Sequence, residues 1–351
     1  MKENDRISVI DVAKGIGIVL VIIGHTLPSD NLIRIFVYTF HMPLFFILAG
    51  MVMKVSRDKK SILEDFFEER KLIGDYCFYS ILFIIFDVIV RFFVQREISL
   101  NELIWGIYQT VVLYGINVLW FLPTLVLAKV LVKWICGISS KRIYALIIGS
   151  AFYVVGGMLS TQIQWLNVGK YRLIYYPLIA LLRAVSVAIY ILLGYIMREK
   201  IKEYSHRTNI DGSAICVAIF ATLLLLMIFN LAGNVDIHVM RMGEWYIAFV
   251  CAVLGTIMVL GVSILLDKVK GVGEWLRYMG INSLFIMVTH SYLEIPVIIN
   301  WFLQNFNLLS CRNIALLQIA LLCVVECIIC KLCFPYVKRA KKCLLYRKGQ
   351  E

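Results

Sequence analysis

Charge is scarce in this chain. Asp, Glu, Lys and Arg make up 17% of it, where a soluble domain carries about 25%. Acidic side chains are the scarcer kind, 23 against 35 Lys and Arg, so the formal net charge is +12. The motifs of many soluble enzymes are missing too. There is no P-loop, no dinucleotide-binding glycine pattern after a strand, and no Cys/His cluster at zinc spacing. Cys323, Cys327, Cys330 and Cys333 recur at helical spacing in an apolar stretch with no histidine near. That pattern is packing, and no metal is expected. Of the ten cysteines only Cys311 falls in an expected outer loop, so a structural disulfide is not expected either.

Apolar residues are what the chain has in excess: 61% of its 351 positions, with a mean hydropathy of +0.84. No single core at this length hides so much apolar surface. A soluble globular enzyme, a disordered chain and a small disulfide scaffold are therefore excluded. The excess must face lipid, and the expected class is all-α: a polytopic membrane helix bundle.

About ten spans are expected from the rule that roughly 20 apolar residues cross the hydrocarbon. They are Ile7–Leu27, Ile35–Met53, Ile73–Phe93, Val118–Cys136, Ile143–Leu159, Pro177–Met197, Asp211–Leu231, Trp245–Leu266, Asn282–Phe302 and Ile314–Val337. Leu103–Tyr114 is too short to cross and reads as an interfacial or re-entrant helix. Residues 1–337 thus form one transmembrane domain and 338–351 a short basic tail. The first span is long, carries Asp11 and Lys14, and lacks a small-residue cleavage site, so it is not expected to be a signal peptide. Alternate loops share the basic residues unevenly, about 23 on one side with both termini and 6 on the other. The positive-inside rule then expects both termini in the cytoplasm. The +12, which on a soluble protein would suggest nucleic acid, here sets orientation and faces anionic lipid, so no nucleic-acid partner is expected.

Ionisable groups inside spans are expensive, and each is a candidate for function. Lys14 and His25 are eleven residues apart, which places them on one helix face about 16 Å from each other. Asp11 lies one turn from Lys14 and can neutralise it. Gly15, Gly17 and Gly24 thin the same helix. The competing readings are a snorkelling lysine and an interfacial histidine. In the second span Pro43 should kink the helix, with His41 just above the kink. A short loop joins the two spans, so His25 and His41 are expected close together, an arrangement suited to proton transfer near neutral pH. The alternative is that His41 caps groups freed by the proline. Arg183 lies about 9 Å deep in the sixth span, where it either snorkels outward or meets a buried anion or a substrate. His290, with Glu294 one turn on and Pro296 beyond, reads as part of a pathway or site. Asp87, Arg91, Glu326 and Lys331 are read as structural pairs.

The strings RISVIDVAKGIGIVLVIIGHTLP and FHMPLFFILAGMVMK resemble integral-membrane acyltransferase family 3, in its branch of fucose 4-O-acetylase-like surface-polysaccharide acetyltransferases. That family carries Arg or Lys, ten residues, then His in its first span, as Lys14 and His25 do here. The resemblance continues at Trp120-Phe121-Leu122, from Arg183 to Leu193-Gly194-Tyr195, and from Gly280-Ile281-Asn282-Ser283-Leu284 to His290. One departure is Asp75, where relatives often have Pro before the tyrosine.

The resemblance implies a multi-pass plasma-membrane enzyme. It implies an acyl-CoA donor on the cytoplasmic side, usually acetyl-CoA, and an acceptor hydroxyl on a cell-envelope or lipid-linked saccharide. The expected catalytic set is His25 as base or acyl carrier, with Lys14 held by Asp11. His41, Arg183, His290, Trp120 and Asn282 are expected at the acceptor. Lys14, Arg70 and Lys71 are expected to meet the CoA donor, whose phosphates cytoplasmic basic residues attract. The rival reading is a proton-coupled secondary transporter or glycan flippase; the inverted repeats that would favour it are not visible. The acceptor sugar, the acyl group and a homo-oligomeric state are all left open.

Overall fold

The computed structural model describes residues 7–55, 61–94, 100–138, 141–206, 212–292, 299, 301, 303, 305 and 314–345. Among these, nine helical segments are long and apolar enough to cross a membrane. The protein is a multi-pass, all-α membrane protein. The helices are α1 (Ser8–Thr26), α2 (Leu32–Tyr38), α3 (His41–Val52), α4 (Ile62–Glu68), α5 (Arg70–Val94), α6 (Leu100–Val111), α7 (Phe121–Ile138), α8 (Arg142–Gln162), α9 (Arg172–His206), α10 (Gly212–Ile228), α11 (Trp245–Leu266), α12 (Val272–Ile281), α13 (Ser283–Tyr292) and α14 (Ile314–Leu345). A two-residue hairpin, β1 (Val235–Asp236) with β2 (Arg241–Met242), joins α10 to α11. The expected span at Asn282–Phe302 is represented by α13; most of its remainder, Glu294 and Pro296 included, lies outside the described residues. The short helix expected at Leu103–Tyr114 is α6, which ends in a turn with Leu113 and Gly115 at positive φ. Exposed apolar side chains fit a lipid solvent: Phe220 and Met227 on α10 are 67% and 78% exposed.

Two compact units divide the chain. The first comprises Met1–Met53, Tyr190–Ile237 and Arg241–Lys331, the second Lys54–Ile189, His238–Met240 and Leu332–Glu351. In the first unit α1 packs against α2, α3, α11, α12 and α13. Lipid supplies no hydrophobic drive between helices, so close fit must hold them. Two crossings bring main chain onto main chain. A Cβ on Gly50 of α3 would meet Ile191 O at 2.0 Å, and one on Gly194 of α9 would meet Ile47 O at 1.9 Å. Likewise a Cβ on Gly15 of α1 would meet Leu276 O of α12 at 2.0 Å, and one on Gly280 would meet Asp11 O at 1.8 Å. All four of these glycines lie in stretches that carry the family resemblance, and the crossings are the physical reason for them.

The second span is not one kinked helix. The break falls at Thr39-Phe40, and Pro43 sits in the first turn of α3. There its missing N–H has no helical acceptor to lose.

In the second unit α5 packs on α6 and α7, and α4 on α7. Ser61 opens α4 with a capping box to Glu64. Lys133, buried in the apolar helix α7, lies 2.7 Å from Glu68, 3.3 Å from Glu69 and 3.8 Å from Asp65, while Lys129 pairs with Glu69. The carboxylates of α4 and its end neutralise the lysines that α7 carries into the span. α14 runs unbroken past the span limit expected at Val337. Its Lys341 Nζ lies 2.8 Å from Asp75 Oδ1 and over the rings of Tyr79 (4.2 Å) and Phe78 (5.6 Å). Asp75, the residue that departs from the family pattern, thus anchors part of the basic tail.

Gly194→Val should destabilise the protein by about 1–3 kcal/mol or more, because the crossing has nowhere to expand. Thermal unfolding of purified protein in detergent measures this. Gly137→Ala, where a Cβ meets nothing within 4 Å, should leave Tm unchanged.

Candidate functional site

α1 carries a continuous helix from Asp11 to His25. Lys14 Nζ lies 3.8 Å from Asp11 Oδ1, one turn away, so the expected pair is formed. Asp11 is buried beside the Gly280 crossing and Lys14 is half-buried. His25 sits at the other end of the helix and is exposed. Its ring neighbours are His290, edge to face at a centroid distance of 5.2 Å, and Tyr38 at 6.4 Å. His41 lies 4.8 Å from Tyr38. The imidazole next to His25 in ring contact is therefore His290, and His41 joins the group through Tyr38. Gly24 makes room for this: a Cβ there would stand 2.9 Å from the Tyr38 ring.

The tautomers of the two buried histidines follow from their partners. His41 Nδ1–H donates to Val37 O (3.0 Å) and His290 Nδ1–H donates to Ile286 O (2.9 Å). A carbonyl only accepts, so in the neutral ring Nε2 is the basic nitrogen of each. His290 Nε2 is buried and has no hydrogen-bond partner among the described residues. Val37 O, which also accepts from Phe40 N–H, lies at the break between α2 and α3 and is not a group freed by Pro43, so this bond ties His41 to the break and is not the proline cap of the alternative reading.

Arg34 belongs to the six basic residues on the sparsely charged side, a count that gives it no role of its own. Its guanidinium covers the Tyr38 ring at 4.9 Å, donates to Leu27 O (2.9 Å) and lies 3.5 Å from the Tyr38 hydroxyl. Arg34 and Tyr38 are four residues apart on one face of α2, a spacing visible in the sequence once α2 is treated as a helix. Asn282 caps α12, with its Nδ2–H donating to Tyr278 O (2.8 Å). It therefore sets the turn between α12 and α13, on which His290 rides. Arg70 and Lys71 are exposed at the start of α5.

Arg183 and Trp120 belong to the second unit. Arg183 is 0% exposed. Its Nη2–H donates to Tyr114 O (2.8 Å), and its guanidinium lies over Tyr114 at 4.7 Å and Trp120 at 5.4 Å. Cation–π contacts of this kind strengthen where water is excluded. Tyr176 stacks on Tyr114 at 4.2 Å, and His238 stacks on Trp120 at 5.5 Å. His238, from the hairpin between α10 and α11, was not singled out by the sequence, because a lone histidine in a loop carries no spacing signal. Gln164 donates to the carbonyl of the neighbouring Val239 (3.0 Å), within the second unit. Burial, and then the Arg183 charge, push the His238 imidazole down to about 3. Among the described residues no three His, Cys, Asp or Glu side chains are grouped to hold a metal ion.

A membrane bundle with paired imidazoles and a lysine–aspartate pair on one helix is suited to moving protons at a hydroxyl. In the comparison with known families, the acyltransferase domain of the acyltransferase 3 family matches residues 7–334, nearly the whole chain. The chain belongs to that family, and it is a membrane acyltransferase. No curated protein and no solved structure matches it.

His238 also sets a pH dependence. Its folded pKa lies below the unfolded value of about 6.5, so the unfolded chain binds the extra proton as pH falls. Stability should be constant above pH 6.5 and fall below it, by up to about 1.4 kcal/mol per pH unit from this group. His238→Gln should flatten that slope in thermal unfolding between pH 6.5 and 4.

Proposed function

We propose that this protein moves an acetyl or other short acyl group from cytoplasmic acyl-CoA to a hydroxyl of a cell-envelope or lipid-linked saccharide. The observation that carries the reading is the His25–His290 contact at one end of a helix whose other end holds Lys14 and Asp11. A direct transfer needs one base and one proton return. His25, exposed at the end of α1, takes the proton of the acceptor hydroxyl. The acceptor oxygen then bonds to the thioester carbonyl carbon, the carbon–sulfur bond breaks, and the imidazolium returns its proton to the departing thiolate. His290 Nε2, a buried basic nitrogen beside that ring, favours the positive charge that His25 gains on the way.

Lys14 is assigned to the donor, with Asp11 keeping the ammonium in place. Arg70 and Lys71, exposed as they are, suit attraction of the CoA phosphates. His41, Tyr38 and Arg34 are assigned to acceptor orientation in the first unit. Arg183 and Trp120 remain assigned to acceptor recognition, since a planar guanidinium among aromatic rings suits a neutral polyhydroxyl ligand. Cytoplasmic termini are the orientation that the distribution of basic residues in the loops supports, and the plasma membrane is what the family resemblance implies.

The test is transfer of labelled acetyl from acetyl-CoA to endogenous glycan in membranes. His25→Ala should lower transfer by about 10²–10⁴-fold, the usual contribution of a general base. Full activity in a correctly inserted variant would overturn the assignment. Saccharide counterflow in vesicles without acetyl-CoA would favour the transporter reading.

A further inference from the structure

Glu326 lies within the apolar helix α14, in a segment suited to span the membrane, and is 0% exposed. The pairing expected with Lys331 is not made: among the described residues no ion pair joins them, and Lys331 is exposed. Glu326 instead meets α13. Its Oε2 lies 2.7 Å from Thr289 Oγ1, and its Oε1 is buried with no hydrogen-bond partner among the described residues.

The Thr289 hydroxyl has three acceptors within reach: Phe285 O at 3.0 Å, Ile286 O at 3.3 Å and Glu326 Oε2. It has one hydrogen to give. If that hydrogen goes to a carbonyl of its own helix, the short contact to Glu326 needs a hydrogen from the carboxyl. An ionised carboxylate would face the opposite cost. Fully buried, with one oxygen unpartnered, it would lose its hydration with little in return. Among the described residues, the ionisable side chains shown to interact with Glu326 are the thiols of Cys323 and Cys327 on α14. Neither of them is a fixed cation.

We infer that Glu326 is a neutral carboxylic acid that donates to Thr289 and acts as a positioning residue for His290. The link is Ile286 O, which accepts from His290 Nδ1–H and also lies within reach of Thr289. With Glu326 protonated, Thr289 turns its hydrogen toward the α13 carbonyls, and the turn that fixes the His290 tautomer stays intact. With Glu326 ionised, Thr289 would turn its hydrogen outward, and the carbonyl cluster under His290 would lose a donor. The inference about protonation stands on the contact itself; the effect on transfer rests on the function proposed above.

Two measurements separate the two. Infrared spectra of the purified full-length protein at neutral pH should contain a protonated-carboxyl C=O stretch that Glu326→Gln removes. Absence of that band in the wild type would overturn the inference, whether or not the protein transfers acyl groups. In the acyl-transfer assay Glu326→Gln, whose amide can donate as the acid does, should stay within about threefold of wild type with an unchanged pH profile, whereas Glu326→Ala should lower kcat about tenfold or more with KM retained. Loss of transfer in a folded Glu326→Gln, or disappearance of a pH step in it, would mean that Glu326 ionises during turnover and would overturn the inference. A wild type that shows the band but transfers nothing would count against the proposed function alone.

Discussion

The first unit depends on the crossing of α1 and α12. There Gly15 and Gly280 remove the only atoms that would hold the two main chains apart. In lipid a contact of this kind is the main means of association, because apolar side chains gain nothing by leaving hydrocarbon for one another. What rides on the crossing is the chemistry. Asp11 sits against Gly280, so the charge that neutralises Lys14 is held by main-chain contact. α12 continues through the Asn282 cap into α13, so the docking of α12 on α1 also brings His290 to His25. Two residues far apart in sequence are thus located by one pair of glycines.

Much of the architecture was legible in the sequence because hydropathy and length report directly on what faces lipid. Trp245–Leu266 was delimited to the residue, and α1 to within one at each end. The family resemblance was equally legible, since Lys14 and His25 lie on one helix at a fixed interval. What failed to show were the contacts between helices. Periodicity says which face of a helix is polar and is silent about which partner meets it. His41 was favoured as the neighbour of His25 because a short loop joins their spans, yet the break at Thr39-Phe40 interposes Tyr38 and His290 takes the adjacent place. Glu326 was assigned to Lys331 on a spacing of five. That spacing turns the two side chains about 140° apart on a helix, and only one of them is buried.

The two units treat buried charge differently. In the second unit Lys133 is surrounded by carboxylates, and Arg183 is held by a carbonyl and two aromatic faces. These groups are fixed, and the nearby His238 is held neutral. In the first unit, beside the Lys14–Asp11 pair, the polar groups include the imidazoles of His25, His41 and His290, a type of side chain that takes up and releases protons. Groups of fixed charge suit recognition and anchoring. Exchangeable groups suit proton transfer.

The contact between α3 and α9 carries a consequence for how this sequence can drift. Gly50 meets the main chain at Ile191, and Gly194 meets the main chain at Ile47. A side chain that clashes with another side chain can be rescued by trimming its neighbour. A side chain that clashes with a carbonyl cannot, because every residue has one. Neither position therefore has a compensating partner, and a double variant should be no healthier than its worse parent. Selection here acts on each glycine separately. The pair should appear invariant without showing the correlated change by which contacts are usually inferred from sequences.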